Sequence, residues 1–158
     1  MHKIRGVTIV IVYLSLVLSI LLFGVYLLTS TEVFKEEFTL LISCILIGCF
    51  GGLLYLFRAV YLNYCVLKQW SEDWMLWYFV RPLTSSICGG VSYLFLRAGL
   101  LVLEAQKEPN ATNLGFYALA FIAGMNVDKF VSKIEDIAQA TWGIEKSRSS
   151  SLKEDCNN

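Results

Sequence analysis

The chain has 158 residues, 56% of them hydrophobic and only 16% charged, and its 13 basic and 13 acidic side chains leave no net charge. Soluble domains carry about a quarter charged residues, so this composition excludes an ordinary soluble globule. The zero balance excludes a global pull toward nucleic acid, and no aromatic-basic groove is visible. The apolar excess is gathered into runs of membrane length, which predicts an all-α polytopic membrane protein. The expected architecture is a four-transmembrane-helix bundle with a C-terminal cytoplasmic amphipathic helix.

The first run, residues 7–28, holds no charge and follows Met1-His2-Lys3-Ile4-Arg5. It is longer than a signal-peptide core, and Thr29-Ser30-Thr31-Glu32 offers no small-residue cleavage site, so it reads as a retained signal-anchor helix. An acidic segment leads to the second span, 38–58, whose helical pattern continues past Arg58 through Tyr61, Tyr64 and Leu67. Between 68 and 80, the density of Trp70, Trp74, Trp77 and Tyr78 suits an interfacial aromatic belt. Arg81-Pro82 is expected to open the third span, 82–104, with Pro in the first helical turn.

A polar turn around Pro109 precedes the fourth span, 114–131, the weakest of the set. Its apolar run stops at Asp128 after about 21 Å of helix. Crossing a bilayer therefore requires it to continue through Phe130 and Val131, to be buried among neighbours, or to thin the bilayer. A re-entrant segment is the alternative. Overlapping its end, 127–142 reads as an amphipathic helix, with Asn126 as N-cap and Gly143 just past its C-terminus. Val127, Phe130, Val131, Ile134, Ile137, Ala138 and Trp142 share one face, opposite Lys129, Lys133, Glu135 and Asp136. The membrane domain thus covers 1–143, and the Ser- and charge-rich residues 144–158 are expected to be a disordered tail. Placing both termini in the cytoplasm puts most Lys and Arg inside and leaves Lys35 and Lys107 outside, as the positive-inside rule requires.

Arg97 is the residue to interrogate, because a charge within a span needs compensation. Helical spacing puts Ser86, Gly90, Tyr93 and Glu104 on its face, a small-polar stripe that should turn toward neighbouring helices or another subunit. Two readings stand: a structural ion pair with Glu104, Glu108 or a lipid phosphate, and the polar lining of a cavity or pore. Small residues at GxxxG-like spacing, Gly48 and Gly52, Ser86 and Gly90, Ala120 and Gly124, predict close helix packing within or between subunits. A homo-oligomer is expected.

Enzyme signals are absent: no HExxH, GxSxG, P-loop or paired intramembrane carboxylates, hence no catalytic, cofactor or metal residues. Cys44, Cys49, Cys65, Cys88 and Cys156 form no CxxC, and the lone His2 makes no metal set with them, so inert packing is expected.

The layout, with a basic, amphipathic inner helix, resembles the membrane components of bacterial anti-phage systems. Within these, the stretches from Arg81-Pro82 to Leu101 and from Phe121 to Phe130 resemble the membrane subunit of the Kiwa type. That resemblance implies the bacterial inner membrane as location and a cytoplasmic DNA-binding protein as partner, with no direct nucleic-acid binding by this chain. The function expected is a non-enzymatic oligomeric sensor or scaffold in contact with membrane lipids. It would engage a cytoplasmic protein through Phe130, Ile134, Ile137 and Trp142. The alternative is an oligomeric ion channel or pore-forming effector lined by Arg97 and Ser86. A transporter is disfavoured, because no inverted repeat or pair of broken helices is evident.

Overall fold

A computed structural model describes residues 2–30, 36–68, 70, 74–99 and 112–144. These residues are helical, without strands: α1 (His2–Ser30), α2 (Glu36–Tyr61) running into a π-helical turn (Leu62–Val66), α3 (Met75–Arg97), α4 (Thr112–Met125) and α5 (Val127–Trp142). Two stretches are long and apolar enough to cross a membrane, Arg5–Leu28 and Glu37–Val66; a third is added only if α4 and α5, bent by 111°, form one broken span. The chain is therefore compatible with a membrane protein, but four continuous spans are not seen among the described residues.

Two boundaries explain the difference. The third helix starts at Met75, not at Pro82, so Pro82 and Arg81 lie inside it, and it stops at Arg97 where Gly99 takes φ +71°. Its inner stripe of Tyr78, Arg81, Pro82, Ser85, Gly89 and Ser92 is buried, and these polar and small residues dilute its apolar content. Residues 100–111, including Glu104 of the expected span, lie outside the described residues. The fourth apolar run does not continue through Phe130 and Val131 as one helix. It ends at Met125 and turns at Asn126, whose backbone (φ −119°, ψ 54°) is not helical. Asn126 stands at the N-cap position as expected but makes no side-chain cap bond, while Gly143 ends α5 in the left-handed region that favours glycine.

α2 is the hub, packed against α1 on one side and against α3 and α4 on the other. The α1 side is a conventional apolar contact of Val7, Val10, Leu14 and Leu21 with Cys49, Leu53, Leu56 and Val60. The other side is made of backbone. A Cβ on Gly48 would stand 2.7 Å from the Cα of Gly89 in α3, and one on Gly124 of α4 would overlap the carbonyl of Gly48. In a bilayer, where lipid gives no hydrophobic drive for helices to associate, close van der Waals contact of this kind is what holds helices together. Of the three pairs read as packing motifs, Gly48 with Gly52 and Ala120 with Gly124 are buried against neighbouring helices of the same chain. By contrast, α3 enters the crossing with Ser85 and Gly89, one residue before the expected Ser86 and Gly90, which are only half-buried.

Candidate functional site

The buried charge among the described residues lies where α5 leaves the bundle. Arg81 is only 7% exposed, although it is charged and lies two turns inside α3. Its guanidinium lies over the rings of Tyr55 on α2 (5.0 Å) and Trp77 on α3 (5.6 Å). Nη1 donates to Asp128 Oδ2 at 3.2 Å. Asp128 falls in the first turn of α5, where a carboxylate is favoured by the helix dipole. The pair is lopsided: Arg81 is enclosed and the Asp128 side chain is 68% exposed. Arg81 Nε is buried without a hydrogen-bond partner among the described residues.

Of the aromatic residues expected to form an interfacial belt, Trp77 covers this arginine and the others pack beside it. Trp70 stacks on Tyr78 (5.5 Å between centroids), and Trp77 meets Tyr78 edge to face (5.1 Å); only Trp74 is open, at 56% exposure. One turn further along α3, the buried Ser85 hydroxyl donates to the Gly124 carbonyl at 2.9 Å. The last carbonyls of a helix lack an intrahelical partner, so Ser85 caps α4 from across the crossing. Within α3, the Ser86 and Ser92 hydroxyls donate to the Pro82 and Gly89 carbonyls, and Ser86 also meets the Cys49 thiol of α2. The elbow between α4 and α5 is thus held twice from α3, by Ser85 before the break and by Arg81 after it.

At the opposite end of the bundle, Arg97 is half exposed and forms an ion pair with Glu37 of α2, whose backbone carbonyl also accepts from the Tyr93 hydroxyl at 3.5 Å. Tyr93 is buried against Phe116 of α4, with centroids 5.7 Å apart. Gly90 lies against Ile45 of α2. The stripe of Gly90, Tyr93 and Arg97 therefore faces helices of its own chain, and the carboxylate that meets Arg97 is Glu37. Glu104 and Glu108 lie outside the described residues.

α5 itself buries no residue. Phe130, Ile134 and Ile137 are half-buried, and Val131 and Trp142 are 41% and 59% exposed. Its charges are Lys129 and Lys133 against Asp128, Glu135 and Asp136, so the helix is not basic, contrary to the expectation. Among the described residues no group of three His, Cys, Asp or Glu side chains is placed to hold a metal ion.

The sequence reading did not single out Tyr55 or Ser85, took Arg81 only as the start of the third span, and weighed Asp128 only as part of a helix break or cap closing the fourth run. A signal was present: Tyr78, Arg81, Ser85, Cys88 and Ser92 recur at three- and four-residue spacing, one helical step from the stripe that was chosen. Starting the helix at Pro82 hid it. Comparison with known protein families, curated proteins and solved structures finds no match to this chain.

Proposed function

We propose that this chain is a non-enzymatic membrane scaffold that holds α5 out from the bundle as the docking element for a cytoplasmic protein. The observation that carries this reading is the 111° elbow, fixed from α3 by Arg81 and Ser85, beyond which an amphipathic helix buries none of its residues. Helices that lie on anionic bilayers present a Lys/Arg-rich polar face. The mixed, slightly acidic charge of α5 does not supply one, which favours a protein over the lipid surface as its occupant. Phe130, Ile134, Ile137 and Trp142 are the anchors of that contact. A soluble partner is also what a Kiwa-type membrane subunit works with. The Glu37 partner of Arg97 lowers the case for a conducting pore lined by that arginine.

The test is affinity purification of the full-length protein from its own membranes in mild detergent. A stoichiometric soluble partner is expected, retained by Lys129→Glu/Lys133→Glu and lost in Ile134→Asp/Ile137→Asp. No partner in the wild type, or a partner indifferent to the Ile134 and Ile137 changes, overturns the reading. Loss of membrane-surface contact by α5 in that variant, with no partner present, would assign its face to the bilayer.

A further inference from the structure

A second feature lies between α1 and α3. A groove of about 560 Å³ is lined by Arg5, Thr8, Ile9, Val12 and Tyr13 of α1 and by Phe79 of α3. Its volume is that of a small-molecule site, but its outer wall is open: Ile9 is 52% and Val12 61% exposed. Polarity is graded along it. At one end the Tyr13 ring packs on Phe79 at 4.4 Å, and the Tyr13 hydroxyl is turned into the protein by donating to the Phe79 carbonyl at 3.3 Å. At the other end, about 12 Å away at 1.5 Å per residue, stands exposed Arg5, where the apolar stretch Arg5–Leu28 begins. That end is pinned: Gly6 lies against Met75 and against the Trp70 indole nitrogen, which is buried without a hydrogen-bond partner among the described residues.

A cation at the mouth, apolar walls beyond it and a side open along a helix apolar enough to cross a membrane match an amphiphile with an anionic head and an acyl chain. We infer that the α1/α3 groove binds one anionic phospholipid, its phosphate on Arg5 and its acyl chain along Ile9, Val12 and Phe79. A soluble anion would use Arg5 and leave the apolar walls empty. A second copy of the chain would have to bring a carboxylate to Arg5.

Native mass spectrometry of the full-length protein, released from micelles holding equal phosphatidylglycerol and phosphatidylcholine, tests this. The wild type is expected to retain phosphatidylglycerol about five-fold over phosphatidylcholine, the effect of one basic residue on an anionic head group. Arg5→Gln should bind both equally. Val12→Trp should fill the groove and lose both, while Phe23→Trp, on a 60%-exposed site remote from the groove, should keep the wild-type pattern. Circular dichroism reports folding of each variant, and Ile9→Phe is the second groove-filling variant if Val12→Trp loses helicity. No retained lipid, an unchanged preference in Arg5→Gln, or undiminished binding in the groove-filling variant overturns the inference. A dimer mass that excludes lipid would overturn it too, and would give the groove to a second copy.

Discussion

Arg81 and Arg97 belong to one helix and behave oppositely. Arg97 stands half exposed beside a carboxylate, where screening and side-chain entropy leave an ion pair little net effect. Arg81 is enclosed by aromatic rings and meets Asp128 at the surface of the elbow. Removing one partner of such a pair strands a buried charge, whereas replacing both by apolar groups of similar size is often neutral. Asp128→Ala is therefore expected to destabilise the protein by about 1–3 kcal/mol, the range for an abandoned buried polar group, read as thermal unfolding in detergent. The double variant Arg81→Met/Asp128→Ala should recover most of that loss, and Arg97→Gln should cost less than Asp128→Ala. A double variant less stable than Asp128→Ala would show that the cation–π contacts, not the ion pair, hold Arg81 in place.

At the scale of elements, the crossing of α2 with α3 and α4 rests on the absence of side chains. Gly124→Ala puts a methyl group into the backbone of Gly48. It is expected to cost about 1–3 kcal/mol by overpacking, despite the gain of roughly 1 kcal/mol in helix propensity. Gly90→Ala meets only the flexible Ile45 side chain, at 3.2 Å, and should stay near neutral in the same unfolding assay. Equal losses in the two variants would refute the backbone crossing. The sequence made the small-residue pairs legible because their spacing is local, and the amphipathic pattern of 127–142 for the same reason. It did not reveal that Gly48 meets Gly89 and Gly124 together, since that depends on how three helices cross. Pro82 misled the reading of α3: proline at an N-terminus is common, but here the turn before it is held in tertiary contacts, Trp77 on Arg81 and Tyr78 on Trp70.

For the whole molecule, the apolar runs 7–28 and 38–58 were readable as helices because length and hydropathy alone decide them. The fourth run was not, because a 111° turn at one residue leaves composition unchanged. A crossing by α2 places its ends on opposite membrane faces. Native Cys65 at one end is exposed, and Ser30, on the far end of α1, is exposed too. In a Cys156→Ser background, a membrane-impermeant maleimide is expected to label Cys65 from one face of sealed vesicles and Ser30→Cys only from the other. Labelling of both from the same face would exclude a crossing by α2.

The glycine crossing has one more consequence. Where Gly48, Gly89 and Gly124 meet, the contact is backbone on backbone, with Ser85 the side chain beside it. At this pivot a movement of one helix is passed to the next backbone against backbone, as a turn or slide of the whole helix. The bundle is thus built like a pair of scissors, with stiff blades and a bare metal rivet, and α5 is the handle.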